Sequence, residues 1–428
     1  MRSFIEPLAL AGKIDLFPHD GIDPLDGEGI SVGIKQVQLE QDTAKSTARG
    51  ATVLLDFNRV GTPLIEVITL PQLHHPATAA ACVRKIHSIL KTVGACTLGM
   101  DVGGLRADVN VSVRRRDDPD GLGGAHHEYC GVTGMGQRTE IKNLSSYRAI
   151  EDAIRAERDR QIRVLEGGGK IEGETRGWTL GSTETTKLRG KEGEVDYRYM
   201  PDPDLGPVLL SRELLWHLKT TLPTLPDQTL EMLTQDETYN LTMKDAKTLL
   251  ALDDGDRLDY YIEVVDLVSQ HLGQVHDTTK LPIGRTTGNW VLHELGGLLS
   301  TTEKSWADNP VSAPALSKII SLLMDRKIAG RNAKQLLQMC FNRDPRQIER
   351  IVEEESLWFR EMSTAEYEEL AQTVMASHGR EVALIRKKKK TGKIQFLVGQ
   401  MVRKAAEGRL DASHAREVLV RLLYSEIS

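Results

Sequence analysis

The sequence predicts an α+β domain followed by all-helical regions, and three observations carry that expectation. Between residue 31 and about residue 206, stretches with β-type alternation are interleaved with amphipathic helical stretches. Beyond Pro207 the strand signals stop, and helices separated by short polar breaks take over. At 428 residues the chain is also long enough for roughly two to three domains of ~150 residues each. Residues 1–206 are therefore expected to form the α+β domain, 207–275 a helical linker domain, and 276–428 a second helical domain. The last boundary falls at the linker-like HDTTKLPIG.

Taken in order, residues 1–30 read as irregular, because PHDGIDPLDGEG is dense in turn formers and sustains no period. ATVLLDF and LIEVITL read as strands bounded by turn residues. PATAAACVRKIHSILKTVG reads as a helix, with Pro76 in its first turn, Val83, Ile86, Leu90 and Val93 at helical spacing, and Gly94 as the stop. LRADVNVSVRRR gives the cleanest period-two signal. Val109, Val111 and Val113 point one way, while Asp108, Asn110 and Ser112 point the other, so antiparallel pairing leaves a polar face opposite a core face. In SSYRAIEDAIRAERDRQIRVLEGGG, the spacing predicts a helix capped by Ser145 and ended by Gly167, with Ile150, Ile154, Ile162 and Leu165 as its buried stripe. The helical regions include LSRELLWHLKT, a stretch from Met243 to Gln270, and an amphipathic IQFLVGQMVRKAAEG that follows the charge run Arg386 to Lys393.

Composition excludes several classes. With 40% hydrophobic and 27% charged residues the chain is neither disordered nor fibrous, and no apolar run approaches the ~18 residues that span a bilayer. The four cysteines, Cys82, Cys96, Cys130 and Cys340, form no CxxC pair, which argues against a disulfide framework and a zinc ribbon. A net charge of -6 gives no global reason to bind nucleic acid, so any basic footprint is local. Glu6 and Asp15 interrupt the acid-poor pattern of a transit peptide at the amino terminus.

Candidate chemistry rests on charge. Glu40, Asp108 and Glu140 lie in or beside predicted strands, where alternation lets carboxylates converge on a hard cation such as Mg²⁺. The competing reading is that they are solvated surface acids paired with Arg106 or Lys142, and spacing by itself favours it. Arg59, beside Asn58 and Glu66, and the cluster Arg189, Lys191 and Arg198 suit phosphate oxygens, with ordinary loop salt bridges as the equal alternative. There is no Walker A loop and no dinucleotide GxGxxG fingerprint. His126, His127 and Cys130 fall in a hairpin loop without a second ligand pair and take no role. No Ser-His-Asp or Cys-His arrangement supports nucleophilic amidase chemistry. The run Lys387, Lys388, Lys389 and Lys390, with Lys393, is either a solvated helix end or a grip on an RNA backbone.

VGIKQVQLEQDTAKS, LLDFNRVGTPLIEVI, GGLRADVNVSVR, RTEIKNLSSYRAIEDAI, ERDRQIRVLEGGG and KEGEVDYRYMPDPDL, in this order, resemble the B-subunit family of glutamyl-tRNA(Gln) amidotransferases. NWVLHELGGLL, KIAGRNAKQLL and GKIQFLVGQMVRKA resemble that family's helical tail, so the likeness runs from about residue 31 to the end. It implies an antiparallel-sheet cradle as the catalytic domain. It also implies a two-step reaction: ATP and Mg²⁺ serve to phosphorylate the glutamyl side chain on misacylated Glu-tRNA(Gln), and ammonia from glutamine displaces the phosphate. The ammonia comes from a partner with amidase activity, the A component of the complex, and a small bridging subunit completes the assembly. By the resemblance, Glu40, Asp108 and Glu140 match the metal-site acids; Arg106, Arg189, Lys191 and Arg198 lie in matching motifs; and Lys387 to Lys390 fall in the tail that engages tRNA. The QLEQD form is similar to the mitochondrial branch. The family's amino-terminal part, with a further Glu/His pair and cysteine-rich zinc elements, has no counterpart before residue 31, which implies an incomplete start or a short form. Gln41 and Val102 stand where relatives carry acids, and fewer carboxylates mean weaker cation binding. The rival expectation is a non-catalytic tRNA-binding or assembly subunit.

Overall fold

A computed structural model of the chain describes residues 7–42, 45–50, 52–58, 60–96, 98–114, 127–129, 132–190, 209–273, 281–359, 362–388, 392–405 and 410–424. These fall into two compact units, residues 1–226 and 227–428.

The first unit opens with β1 (Ala9–Leu16), β2 (Ile30–Gln41), β3 (Lys45–Arg49), β4 (Thr52–Asp56) and β5 (Pro63–Thr69). Contrary to the irregular start expected from its turn formers, β1 lies inside residues 1–30 and pairs antiparallel with β2, from Ala9 opposite Val37 to Leu16 opposite Ile30. β5 flanks β2 on its other side, giving a three-stranded sheet in the order β1-β2-β5, while β3 and β4 form a separate hairpin. Leu16, Val32 and Ile22 bury themselves against Ala81 and Cys82 of α1 (Pro76–Thr92).

Next come β6 (Ala107–Val111), β7 (His127–Tyr129), β8 (Val132–Met135), β9 (Thr139–Leu144), α2 (Tyr147–Glu166), β10 (Glu174–Gly177), β11 (Thr186–Gly190) and α3 (Arg212–Thr220). β7 and β8 make a hairpin; β6, β9, β10 and β11 make a four-stranded sheet in the order β11-β10-β9-β6. β9 and β10 are parallel, as a strand-helix-strand crossover through α2 requires. The alternation expected in β6 is present, with Val111 buried while Asp108 and Asn110 face outward. Val111, Ile141, Leu144, Ile150 and Ala153 close the core between this sheet and the helices. Ile141 and Ile150, both fully buried, each stabilise it by about 1.5–3 kcal/mol.

Both helices sit differently on the core from what their largest side chains suggest. In α1 the buried positions are Pro76, Thr78 to Cys82 and Lys85, whereas Val83, Ile86 and Leu90 are half-buried and Val93 is exposed. Small residues win there because α1 packs directly against α2, and alanines let two helices approach closely. In α2 the cap is Ser146, whose Oγ accepts from the Ala149 N–H, rather than Ser145. Gly167 ends the helix as expected, and Ile150 is buried. Ile154, Ile162 and Leu165 are only half-buried, because Ala153, Ala156, Glu157 and Gln161 take the inner face.

The second unit is helical: α4 (Pro226–Gln235), α5 (Met243–Ala251), α6 (Asp256–Gly273), α7 (Ile283–Asn289), a π-helical turn Trp290–Leu295, α8 (Gly296–Thr301), α9 (Ala313–Met324), α10 (Gly330–Phe341), α11 (Ile348–Glu354), α12 (Thr364–Ser377), α13 (Gly379–Lys388), α14 (Gly392–Lys404) and α15 (Ala412–Tyr424). Thr242, Ser312 and Ser363 cap α5, α9 and α12 by accepting from backbone N–H groups of the first turn. One apolar cluster runs from Leu230 to Leu357, and a second joins Tyr367 to Leu423.

Candidate functional site

The polar face of the four-stranded sheet is set by pairing. Asn110 pairs with Glu140, Glu140 with Thr175, and Thr175 with Arg189, so four strands contribute one lateral row. The Thr175 hydroxyl donates to Glu140 Oε2 at 3.3 Å. The β6/β9 register slips between Ala107 and Val109, and Asn143 adopts a left-handed φ of 62°. This irregularity lets the Asn143 N–H reach Asp108 Oδ1 at 3.1 Å, and it gathers Asp108 to the same patch. Lys142 lies between the acids, its Nζ 3.2 Å from Asp108 Oδ2 and 3.5 Å from Glu140 Oε1. Burial, the largest influence on the Lys142 ammonium, opposes its charge, but Asp108 and Glu140 outweigh it and hold the pKa above its usual value.

The three-stranded sheet supplies a second acidic pair. Gln38 of β2 sits opposite Glu66 of β5, and its amide nitrogen donates to Glu66 Oε2 at 2.5 Å and to Glu40 Oε1 at 3.5 Å. Gln36 donates in turn to Gln38 Oε1 at 2.6 Å, which fixes the orientation of that amide. Crowding of the Glu66 carboxyl away from water raises its pKa, and the charge of Glu40 and a hydrogen bond with it raise it further. The Asp108 charge is a smaller influence in the same direction.

Behind Thr175 lies a buried ionic network. Glu157 of α2 is fully buried and accepts from Arg160 Nε and Nη2 at 2.9 and 2.8 Å, from Gln161 at 2.7 Å and from Thr185 at 2.7 Å. Arg176 approaches it at 3.4 Å and is also paired with Glu174, which meets Lys187 at 3.0 Å. Burial pushes the Glu157 carboxyl up, but the donors from Arg160, Gln161 and Thr185 more than offset this and hold its pKa below the usual range. Thr175 lies between Glu174 and Arg176 in β10, so the network anchors the strand that orients Glu140.

Of the residues singled out from sequence, Glu40, Asp108 and Glu140 thus contribute to two acidic patches on the first unit. Among the described residues their oxygens do not all fall within 4.8 Å of one another. Asp108 and Glu140 do pair with Lys142, as the surface-acid alternative expects. Arg106 is exposed two residues before Asp108, and Arg189 is placed by its register opposite Thr175. Arg59, Lys191, Arg198, Lys389 and Lys390 lie outside the described residues, as do His126 and Cys130. Lys387 and Lys388 close α13, and Lys393 lies half-buried in the first turn of α14. The arrangement of Glu66 against Gln38, the Thr175 bond and the Glu157 network were not legible from spacing, since each depends on strand pairing or on partners remote in the chain.

Chemically this is a carboxylate-rich, oxygen-donor face, with a lysine already bridging two of its acids. Such a donor set suits a hard divalent cation, and paired carboxylates that repel one another are relieved by one. The class defined here is an α+β domain with an acidic oxygen-donor surface, followed in sequence by helical modules. Residues 2–216 match the GatB/GatE catalytic domain and residues 274–423 the GatB domain. The chain belongs to the GatB family. It is 57% identical over 424 residues to the mitochondrial B subunit of glutamyl-tRNA(Gln) amidotransferase from Paracoccidioides lutzii, spanning 99% of this chain and 69% of that relative. The same-named proteins of Blastomyces gilchristii and Aspergillus fumigatus are 55% and 53% identical over 430 and 424 residues, covering 100% and 99% of this chain and 70% of each relative. The match therefore begins at residue 2, rather than near residue 31 as the motifs suggested. Among the described residues, no helix is long and apolar enough to cross a membrane.

Proposed function

We propose that this chain is the B subunit of a mitochondrial glutamyl-tRNA(Gln) amidotransferase, a ligase that works in a heteromeric complex and converts Glu-tRNA(Gln) to Gln-tRNA(Gln) with glutamine as the amide donor. The observation that carries the chemistry is the pair of acidic patches on the first unit, Asp108 and Glu140 bridged by Lys142 and Glu40 and Glu66 bridged by Gln38. The glutamyl carboxylate on the tRNA takes up the γ-phosphoryl group of ATP: a carboxylate oxygen-phosphorus bond forms, the phosphorus-oxygen bond to the β-phosphate breaks, and ADP leaves. Ammonia, supplied by the amidase partner, then displaces phosphate from the activated acyl group, and a small bridging subunit completes the assembly.

Phosphoryl transfer is chiefly positioning and charge neutralisation, so acids that hold Mg²⁺ and cations that meet phosphate oxygens are the side chains it needs. Glu40, Asp108 and Glu140 would hold the ion, which supplies neutralisation of the phosphate charge. Arg59, Arg106, Arg189, Lys191 and Arg198 are assigned to phosphate oxygens. The basic run Lys387 to Lys390, with Lys393, is assigned to the tRNA backbone, and the helical part from about residue 276 to the tail domain that carries it. The test uses the complete complex. Asp108→Ala is expected to lower ATP-dependent formation of Gln-tRNA(Gln) by roughly a hundredfold or more while salt-dependent tRNA binding is retained. Unchanged turnover would return Asp108 to the role of a surface acid.

A further inference from the structure

We infer that Lys142 is a resident counter-ion of the acidic face, occupying the position between Asp108 and Glu140 until a divalent ion takes it over and then turning to the oxygens of the transferred phosphoryl group. The inference rests on the phosphoryl-transfer reading above. An ordinary surface lysine meets one acid on a solvated rim. The Lys142 ammonium is instead shared by acids on two adjacent strands, at 3.2 and 3.5 Å, and its side chain is two-thirds covered. Asp108 is fixed against Asn143 and Glu140 against Thr175, so the acids are held in place while the lysine's four-carbon stem is the movable partner. One cation cannot fully neutralise two carboxylates, and Lys142 is the cation shared by both.

Asp108 and Glu140 would release Lys142 if they held a divalent ion, because their charge would then be met by it. The Lys142 ammonium would be free to meet charge on a phosphoryl group as the carboxylate oxygen-phosphorus bond forms and the bond to the ADP oxygen breaks. The lysine neither gains nor loses a proton in this exchange.

The two roles predict opposite effects of one substitution. In the assembled complex, Lys142→Met is expected to tighten Mn²⁺ binding without nucleotide by roughly threefold to tenfold, because two weak competing ion pairs are removed. The same variant is expected to lower kcat for amidation by about tenfold to a thousandfold, because a cation at the transferred group is lost. Mn²⁺ binding is read by water-proton relaxation, which is independent of turnover. Lys142→Arg keeps the charge and is expected to restore the wild-type Mn²⁺ affinity while recovering only part of kcat. Weaker Mn²⁺ binding in Lys142→Met, with fold and tRNA binding intact, would show that the lysine merely props the acids, and overturns the inference. Unchanged Mn²⁺ binding and unchanged kcat overturn it as well. If the wild-type complex amidates but binds Mn²⁺ no better than Asp108→Ala, it is the metal-site reading that fails, and the lysine inference falls with it.

Discussion

Replacing Glu157 with alanine tests whether the buried ionic network holds β10 in place. The side chain is fully buried and receives two guanidinium bonds from Arg160, at 2.9 and 2.8 Å, and one each from Gln161 and Thr185. Truncation leaves the guanidinium groups of Arg160 and Arg176 with Glu174 as their remaining counter-charge in the network. Breaking a buried pair by removing one partner costs about 3–5 kcal/mol, because the orphaned charge stays desolvated. Hydrogen-exchange mass spectrometry reads this locally. Amides in residues 147–166 and 174–190 should exchange roughly a hundredfold to a few thousandfold faster, up to the limit set by global unfolding, while those of residues 227–428 keep their rates. The sign of the pH dependence follows from the lowered pKa: stability from Glu157 is full above the ordinary carboxylate value and is lost as pH falls through the lowered one. The wild-type protein should therefore lose protection in these segments below about pH 4.5, and the variant should show a flatter profile. Exchange in Glu157→Ala within about threefold of wild type at pH 7 would refute the assignment of Glu157 as the anchor of the strand.

The remaining predictions concern the acids and a thiol. Because the pKa of Glu66 is raised, its neutral form favours the folded state, and that stability is lost as pH rises through the raised value. Thermal melts should thus show a loss of stability above about pH 4.5 that Mg²⁺ or Glu66→Gln suppresses, and an unaffected pH profile in Glu66→Gln counts against the repulsive pair. Thr175→Val removes the hydroxyl that donates to Glu140 and should weaken Mn²⁺ binding by roughly tenfold, whereas Thr175→Ser should restore it. Cys82 is buried, and burial pushes its thiol up to about 11. Peptide mapping after maleimide treatment at pH 8 should find it unlabelled in the folded protein and labelled in urea, since roughly one thiol in a thousand is ionised at that pH.

Much of the fold was legible where a local pattern decides it. β6 announces itself because alternating valines and polar residues have no competing helical period, and Pro76, Gly94 and Gly167 mark helix limits by backbone chemistry alone. β1 was hidden for an equally local reason. Ala9 to Lys13 are exposed and only Leu16 is buried, so little apolar alternation marks the strand, and Ala11 takes a left-handed φ of 54° in mid-strand. The buried faces of α1 and α2 differ from the stripe of large side chains because volume is a guide to burial only where space is available. Two helices in contact select alanine, Glu157 is admitted by donors that arrive with Thr185 and Arg176, and Gln161 by its own donation to the Val111 carbonyl and to Glu157. For the site, residue type identified the acids, but only pairing could show Glu66 opposite Gln38, or place Arg189 across from Thr175.

The acidic face is closed by contacts that each bridge about thirty residues: Gln38 to Glu66, Asp108 to Lys142, and Glu140 to Thr175. During synthesis these clasps form in chain order, each waiting for its downstream strand to leave the ribosome. At 5–20 residues per second the interval between the appearance of Lys142 and that of Thr175 is roughly 2–7 s, and the parallel pairing of β10 with β9 cannot begin until all of α2 has emerged. Through that interval Glu140 lacks its hydroxyl partner, yet Lys142 is born two residues behind it. The nascent domain thus carries a cation beside its acids before β10 arrives.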